Sequence, residues 1–580
     1  MFVDDLIGQF YNKLSGKRVL VIVHHDLDAI CSMKILQSLF KCDSRVYALE
    51  PVAGVQDFKL AYERYRHEIK NVLLINCGGT HDIVEILEPE EDCIFYILDS
   101  HKPTDFANIF NSSQVRILCR MDDVELENIP EYNQIFESEE EDEESEGEIE
   151  DEATRSVDFP KESWNEEKMK KRRERILWEE NRKKILFQYL QFSYYGRSSA
   201  MIMYELAWKM NKENLELLWY AIIGVMEQYI LNKIPTSLYK SDVEFIKNQS
   251  GRLNPLQLDD MLEAGSLHSS VISGNHHIPG LRIECEDDAQ LALYKHWTLQ
   301  ASLRHTMYTA VSLKLWTMKG EQRLQRLLAE MGMPLLQSKQ LYNSMDLSIR
   351  RELPTMLSKM AADHQLDELI MPSFTLLHGY RTKIQASDYV YAMLALLESP
   401  HQEKKPSDCF LDAAYCLARQ NKDMLSDGIQ NAKKFLSALF KTVQSLLDMK
   451  QVNSSGPFLY VFVQEGTLDC KYYSKPHALS LLATFILKAF VASSAGSRTR
   501  NHSKPLIASA PLDPLAETCI MIGIPPVTEI IPRSFFGRAF EQASERTNAR
   551  VSFDYFDSSI ISIHKSDRHK FVSALQSLLS

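Results

Sequence analysis

The sequence lacks the features that mark several common classes of protein. Its ten cysteines are scattered and none forms a Cys-x-x-Cys pair, which argues against zinc ribbons and iron–sulfur sites. No run of about twenty apolar residues occurs, and the N-terminus lacks the basic-then-apolar pattern of a secretory signal. We therefore expect a soluble, intracellular protein with no membrane partner, whose cysteines are buried free thiols.

Negative charge is concentrated in one short segment. Twelve acidic residues and no basic one lie between Glu137 and Glu152, so the rest of the chain is nearly neutral despite a formal net charge of −14. Such a segment is too charged and too poor in apolar residues to fold alone. We predict an acidic, disordered linker over 137–160. The alternative is an acidic interaction tail or a competitor for a basic groove. Ser138 and Ser145 within it resemble sites of acidophilic kinases.

A stretch near the N-terminus carries the strongest chemical signal. Val19–Val23 is unbroken apolar sequence, typical of a strand buried on both faces, and Asp26 and Asp28 follow where that strand should end. Apolar residues at helical spacing follow over Ala29–Phe40. Two carboxylates one residue apart can bind Mn²⁺ or Mg²⁺. The alternative is a helix N-cap, in which an aspartate accepts hydrogen bonds from the first free amides of the helix.

Alternating strand and helix patterns over the first 120 residues predict a mostly parallel sheet. The predicted strands are Val19–Val23, Arg45–Leu49, Asn71–Ile75, Cys93–Leu98 and Val115–Cys119. Neighbouring parallel strands end at the same edge of a sheet, which is where open α/β sheets bind ligands. We therefore expect these side chains to converge on one crevice: Asp26, Asp28, Asn76, Asp99 and His101.

These motifs resemble those of the DHH phosphoesterases, the family of RecJ-type exonucleases. The similar segments are Asp-x-Asp-Ala at 26–29, the Asn-Cys-Gly turn at 76–78 and Asp-x-His-x-Pro at 99–103. In that family the motifs hold manganese. Asn76 and Ser100 stand where the family has Asp and His, and Glu227 stands where a fourth, helical motif has Asp. An amide cannot supply the charge of a bridging carboxylate, and Ser is a poor substitute for imidazole at a metal.

The departures predict a degenerate site with no catalytic residue. Its vestigial metal-site positions are Asp26, Asp28, Asn76, Asp99, Ser100, His101 and Glu227. No cofactor is required, and at most weak residual binding of Mn or Mg is expected, at Asp26, Asp28, Asp99 and His101. The alternative is an active manganese-dependent phosphoesterase or exonuclease that tolerates the changes. The glycine-rich loop with which DHH exonucleases grip phosphate is missing. Arg538 and Lys102 are the candidate nucleic-acid contacts.

The resemblance implies an α/β fold with an N-terminal DHH-type, mostly parallel sheet domain, a helical insertion and a smaller C-terminal α/β domain of DHHA1 type. A chain of 580 residues is expected to form two or three domains. The predicted segments are the sheet domain at 1–136, the linker at 137–160, a basic helix and the remaining helices of the sheet domain at 161–240, a loop-rich segment at 241–288, the helical insertion at 289–450 and the C-terminal domain at 451–580.

Two helical regions carry further candidates for binding. The predicted helix at 161–191 is basic at its centre, as in nuclear-import signals and phosphate contacts. Interleaved glutamates make an exposed, salt-bridged helix an equal alternative. In the helical insertion, His296, Trp297 and Trp316 are candidates for contact with a partner protein, although aromatic stripes at helical spacing are usually core.

The order of motifs over nearly the whole chain resembles a eukaryotic, RecJ-like branch of the same family. Its later segments include Gly-Pro-Phe-Leu-Tyr at 456–460, Gly-Ile-Pro-Pro at 523–526 and Phe-Phe-Gly-Arg-Ala-Phe-Glu at 535–541. Members of this branch are nuclear, non-catalytic subunits of the replicative DNA helicase. The resemblance implies that the chain joins the MCM helicase ring and the GINS tetramer, binds single-stranded DNA in its RecJ-like groove, and meets replication-initiation and polymerase-loading factors.

Overall fold

The computed structural model describes residues 1–119, 128–136, 161–254, 281–364, 366, 368–378, 382–400, 404–418, 420–467, 469–494, 503–527 and 532–579. The predicted linker at 137–160, with Ser138 and Ser145, lies outside these residues. The strands are β1 (Phe2–Val3), β2 (Val19–His24), β3 (Tyr47–Val52), β4 (Asn71–Ile75), β5 (Ile94–Leu98), β6 (His101–Lys102), β7 (Val115–Leu118), β8 (Tyr194–Tyr195), β9 (Leu281–Ala289), β10 (Ile370–His378), β11 (Thr382–Gln385), β12 (Asn453–Ser455), β13 (Phe458–Phe462), β14 (Leu506–Asp513), β15 (Thr518–Ile524), β16 (Val551–Ser552) and β17 (Ile560–His564).

The described residues also form α-helices. They are α1 (Leu27–Cys42), α2 (Val55–Glu63), α3 (Ile83–Leu87), α4 (Phe106–Phe110), α5 (Tyr132–Ile135), α6 (Lys161–Leu190), α7 (Ser199–Lys209), α8 (Leu215–Ile230), α9 (Thr236–Leu253), α10 (Leu299–His305), α11 (Met307–Leu313), α12 (Met318–Glu330), α13 (Leu335–Ser338), α14 (Leu347–Asp363), α15 (Ala386–Leu397), α16 (Pro406–Cys416), α17 (Lys422–Asp448), α18 (Pro476–Ser494), α19 (Phe536–Thr547) and α20 (Arg568–Leu579). The predicted mixed α/β class is confirmed.

The N-terminal sheet has the strand order β1-β7-β5-β4-β2-β3, and every pairing in it is parallel. Alternate residues of its central strands point to opposite faces of the sheet and belong to two different hydrophobic clusters. Val21 and Leu73 face one cluster with α1, α7 and α8, whereas Leu20 and Val72 face the other. Helices therefore cover both faces of the sheet, which explains why β2 is apolar without alternation. The second predicted strand, Arg45–Leu49, is shifted to Tyr47–Val52.

The middle of the chain is less helical than its composition suggests. A three-stranded antiparallel sheet, β11-β10-β9, interrupts the segment predicted as helical at 289–450. Residues Leu291–Trp297, predicted as helical, form turns. The backbone of Leu293 has a φ of 54°, in the left-handed region, and an α-helix cannot continue through that conformation. The helical prediction is wrong at these places.

The loop prediction for 241–288 is wrong at both ends. Helix α9 extends to Leu253, because Val243, Ile246, Ser250 and Leu253 give it one buried face at helical spacing. Strand β9 begins at Leu281 and is hydrogen-bonded along its whole length to β10. Residues 255–280, which contain most of the polar residues behind the loop prediction, lie outside the described part.

The predicted basic helix is present as α6, and its described side chains at 172–175 are exposed. Arg175 Nε lies 3.7 Å from Glu179 Oε1, one turn further along. This contact agrees with an exposed, salt-bridged helix. Roles in nuclear import or phosphate contact stay predictions.

The C-terminal sheet has the strand order β12-β13-β14-β15-β17-β16 and mixes parallel and antiparallel pairs. Helix α18 packs on it and on its neighbours, with Leu479, Leu482, Phe485 and Ile486 fully buried. By length and composition this helix could also cross a membrane, over Pro476–Ser493. Its packing against the sheet identifies it as a core helix.

The cysteines follow the prediction with one clear exception. All ten are free thiols, and most are buried. Cys42, the last residue of α1, is exposed. The expectation of buried thiols is therefore wrong for Cys42.

Candidate functional site

Three neighbouring strands bring the predicted polar residues to one edge of the N-terminal sheet. Strand β4 lies between β2 and β5, so the turns after these strands are adjacent. Asp26 and Asp28 follow β2, Asn76 follows β4, and Asp99 follows β5. We call this place the acidic crevice. The predicted convergence on one crevice is confirmed.

Asn76 joins the two aspartates at the centre of the acidic crevice. Its side-chain nitrogen, Nδ2, donates to Asp26 Oδ2 at 2.9 Å and to Asp28 Oδ2 at 3.1 Å. Its side-chain oxygen accepts from the Ser100 amide at 3.2 Å and from the Ser199 hydroxyl. The amide therefore uses both donor hydrogens and its acceptor oxygen in a fully buried position.

Asp28 caps a helix that is distant in sequence. Its two oxygens accept from the amides of Ser199 (2.8 Å) and Ala200 (3.1 Å) at the start of α7, and from the Ser198 hydroxyl. Burial and the neighbouring carboxylate of Asp26 raise the pKa of Asp28. A Cβ atom at Gly224 of α8 would lie 2.7 Å from Asp28 Oδ1, so a side chain there would displace the carboxylate.

Asp99 and His101 form a buried pair beside Asn76. Asp99 Oδ1 lies 2.7 Å from His101 Nδ1 and accepts from the His101 amide at 2.9 Å, while Asp99 Oδ2 accepts from the Gly79 amide at 2.8 Å. Burial alone would lower the pKa of His101, but the Asp99 carboxylate offsets it and raises that pKa above its ordinary value. Both oxygens of Asp99 therefore already accept hydrogen bonds, from His101 in its own turn and from Gly79 in the neighbouring turn.

Lys233 enters the acidic crevice, and the sequence analysis missed it. Its ammonium lies 2.8 Å from Glu227 Oε1 and 3.3 Å from Asp26 Oδ1, and all three side chains are almost fully buried. Burial would raise the pKa of Asp26, but the Lys233 ammonium holds it well below its usual range. The only sequence signal was a lysine shortly after the helix that carries Glu227.

The N-cap alternative for Asp26 is only partly right. Asp26 occupies the N-cap position of α1, yet its side chain accepts no hydrogen bond from that helix. The carboxylate is directed instead to Asn76 and Lys233. Asp26 lies in the crevice because it follows β2. Its partners there, Asn76 and Lys233, follow β4 and the end of α8.

The residues present fit a divalent metal poorly. Manganese and magnesium need several free oxygen ligands on one side of the ion. In the crevice, the oxygens of Asp26, Asp28 and Asp99 already accept hydrogen bonds or face an ammonium. Across the described ranges, no group of three or more His, Cys, Asp or Glu side chains is arranged to hold a metal ion.

A cavity of about 430 Å³ opens from the crevice toward the C-terminal sheet. Lys102, Lys233 and His477 line it, together with Phe556 from the C-terminal sheet region. Lys102, a predicted nucleic-acid contact, is only 6% exposed, and its ammonium lies 3.3 Å from Thr104 Oγ1. Arg538, the other predicted contact, lies on the surface in the first turn of α19 and pairs with Glu541 at 2.8 Å.

The three aromatic candidates for partner contact are largely inside the fold. Trp316 is 7% exposed. Trp297 stacks on His305 with 4.8 Å between ring centres and packs against the core. His296 Nε2 lies 3.3 Å from Asp388 Oδ2, whose carboxylate is fully buried. The core alternative is therefore right for Trp316, which is too buried to offer a docking surface.

Comparison with known proteins agrees with the architecture described above. The family model CDC45 matches residues 19–578. The chain is 40% identical over 587 residues to the cell division control protein 45 homolog of Mus musculus, and 40% identical over 582 residues to that of Homo sapiens, with 100% of each chain covered in both cases. The crystal structure of CDC45 from Entamoeba histolytica shares the fold, with a TM-score of 0.69, 21% identity and 100% of both chains covered. The chain therefore belongs to the CDC45 family.

Proposed function

We propose that the chain is a non-catalytic, nuclear subunit of the eukaryotic replicative DNA helicase. In this role it joins the MCM ring and the GINS tetramer for origin firing and fork progression, and it contacts single-stranded DNA. The names of its relatives, which denote cell division control proteins, support a role in the cell cycle. The motif resemblance described above supplies the partners, including the factors that initiate replication and load polymerases.

One observation supports the proposed loss of catalysis. The Asn76 amide nitrogen donates to Asp26 and Asp28 at the point where the DHH resemblance requires a carboxylate. Two-metal hydrolysis needs negative charge between the ions, both to activate water and to steady the leaving oxygen. A donor at this position consumes the lone pairs that would bind the metal. No cofactor is then required, and divalent cations bind weakly if at all.

The proposal predicts DNA binding without cleavage. End-labelled single-stranded DNA is incubated with the purified chain and Mn²⁺, and binding and cleavage are scored in the same tubes. We expect no cleavage, and binding that Asp26→Ala leaves unchanged because Asp26 is only 2% exposed. We expect Arg538→Ala to weaken binding and to reduce its salt dependence, because an exposed guanidinium that contacts phosphate releases counterions.

Glu541→Ala is the matched control, because it removes the partner of Arg538 and leaves the cation free. We expect it to keep or improve DNA binding. Cleavage that disappears in Asp26→Ala would contradict the proposal and favour an active manganese-dependent phosphoesterase.

The protein-docking surface is assigned to exposed apolar residues of the middle region. Met318 is 81% exposed and Leu336 is 79% exposed. Leu335, Leu341 and Leu347 are also exposed, so five exposed apolar side chains lie between the start of α12 and the start of α14. Contiguous exposed apolar patches are typical of protein interfaces, and we propose that these side chains form such a patch. This surface replaces Trp316 as the candidate contact with the MCM ring or GINS.

The docking assignment predicts a specific loss of assembly. We expect Met318→Glu combined with Leu336→Glu to weaken association with purified MCM ring or GINS roughly tenfold or more, because a buried charge at an interface centre is costly. Leu515→Glu is the control, since Leu515 is 97% exposed but lies between β14 and β15. Unchanged association of the double variant, at an unchanged melting temperature, would show that the partners bind elsewhere.

A further inference from the structure

The end of helix α8 fixes the position of Lys233. After Ile230 the chain reverses through Asn232, whose φ of 55° is left-handed. The Asn232 amide donates to the Tyr229 carbonyl at 3.1 Å, and the Lys233 amide donates to the Gln228 carbonyl at 2.8 Å. These two bonds define a Schellman motif, which sets the direction in which the next side chain leaves the helix. Lys233 is therefore turned back toward Glu227 on the last turn of the same helix.

The Lys233 ammonium is enclosed by acceptors. Glu227 Oε1 and Asp26 Oδ1 lie at 2.8 Å and 3.3 Å, and the ring of Tyr195 lies below the ammonium at 4.9 Å from its centre. Tyr195 is held in turn by its hydroxyl, which donates to Asp557 Oδ2 at 2.8 Å. The side chain of Lys233 is 10% exposed. Carboxylates from the turn after β2 and from α8 thus share one cation that the chain itself provides.

Carboxylates buried this closely need a compensating positive charge or must bind a proton, and burial raises the pKa of both Asp28 and Glu227. Asp26, Asp28 and Glu227 are each at most 2% exposed, so solvent cannot screen their negative charge. A divalent metal is one source of charge and a lysine ammonium is another. In this chain the Lys233 ammonium lies beside Asp26. A metal ion bound to the same carboxylate would therefore lie close to the ammonium. Two cations at that distance repel strongly in a buried site.

We infer that Lys233 is a built-in counter-ion that replaces a divalent metal in the acidic crevice. The inference rests on the proposed loss of catalysis at the same crevice, and it adds a cause: Asp26 and Glu227 persist because they share one fixed cation. Removal of the Lys233 charge then frees Asp26 Oδ1 and Glu227 Oε1, the oxygens to which Asn76 does not donate, for a divalent cation. The chain should bind Mn²⁺ at this crevice only when the ammonium is absent.

The test uses the full chain and Mn²⁺ alone, with Lys233→Met as the variant that keeps side-chain length but removes charge. Mn²⁺ binding is measured by calorimetry and by loss of the free-ion electron paramagnetic resonance signal. We expect Lys233→Met to bind Mn²⁺ roughly tenfold or more tightly than the unmodified chain. We also expect Mn²⁺ to raise the melting temperature of the variant, because a ligand that binds only the folded state stabilises it.

Two controls assign the binding to the crevice. Lys233→Arg keeps the charge and should bind no more Mn²⁺ than the unmodified chain. Lys233→Met combined with Asp26→Asn should lose the gained binding. A folded Lys233→Met variant with unchanged Mn²⁺ binding would overturn the inference, as would Lys233→Arg that binds like Lys233→Met.

The unmodified chain gives a test that does not depend on the folding of Lys233→Met. If its Mn²⁺ titration is unchanged by Asp26→Asn, the crevice binds no metal while the ammonium is present, as inferred. If Asp26→Asn removes Mn²⁺ binding from the unmodified chain, the inference is wrong. Failure here leaves the proposed loss of catalysis standing, because that proposal is tested separately, by DNA cleavage that depends on Asp26.

Discussion

Asp28→Ala is expected to lower the free energy of unfolding by about 3–6 kcal/mol, because several buried donors lose their acceptor at once and each costs roughly 1–3 kcal/mol. Those donors are the amides of Ser199 and Ala200, the Ser198 hydroxyl and the Asn76 amide. Asp28 is fully buried, so water cannot take its place. The measurement is the thermal or urea unfolding transition of the variant beside the unmodified chain.

Two further variants serve as comparisons for Asp28→Ala. Asp28→Asn keeps one acceptor oxygen but turns donor hydrogens toward other donors, so we expect a loss smaller than that of Asp28→Ala. Asp57→Ala is the matched control, because Asp57 is an exposed acid in the first turn of α2. We expect it to change stability by less than about 0.5 kcal/mol. Equal effects of Asp28→Ala and Asp57→Ala would show that the crevice carboxylate does not hold α7 in place.

Glu398→Ala is expected to cost about 2–4 kcal/mol, because a carboxylate that caps a helix from outside the helix is lost. Glu398 follows α15 and is 8% exposed. Its two oxygens accept from the amides of His477 (2.8 Å) and Ala478 (2.7 Å) at the start of α18. The carboxylate thus joins the middle region to the core helix of the C-terminal sheet.

The Glu398 prediction is checked by hydrogen exchange as well as by unfolding. In Glu398→Ala the amides of His477 and Ala478 should exchange faster, while amides in the middle of α18 change less. Glu398→Gln retains an acceptor and should lie between the alanine variant and the unmodified chain. Glu541→Ala removes only a surface pair with Arg538 and should cost no more than about 1 kcal/mol. Unchanged protection of His477 and Ala478 in Glu398→Ala would rule out the cap.

Local sequence patterns were sufficient for the central strands of the N-terminal sheet. The apolar runs at Val19–Val23 and Asn71–Ile75 form β2 and β4, and the polar residues after them meet at one edge. Both results follow from short-range rules, since burial on two faces requires continuous apolar residues and parallel strands end together. The helix carrying Glu227 was predicted from its resemblance to the fourth, helical motif of the DHH family, and the residue lies in α8.

Local patterns failed where tertiary packing decides the conformation. The apolar segment Leu291–Trp297 matches a helix, but Leu293 adopts a left-handed backbone and the segment turns. Trp316 was named as a candidate for partner contact although aromatic stripes are usually core, and it is buried. The spacing of apolar residues predicts that one side of an element is buried. It does not predict which neighbouring element covers that side.

The sequence by itself determined which chemical groups line the acidic crevice: the carboxylates of Asp26, Asp28 and Asp99, and an amide at Asn76. Only the tertiary structure decided what those groups do. The partner of Asp26 is Lys233, 207 residues further along the chain, and the partner of Asp28 is the start of α7, some 170 residues away. Hydrogen bonds and ion pairs depend on distance in space, and spacing along the chain cannot reveal that these carboxylates meet an ammonium and helix amides.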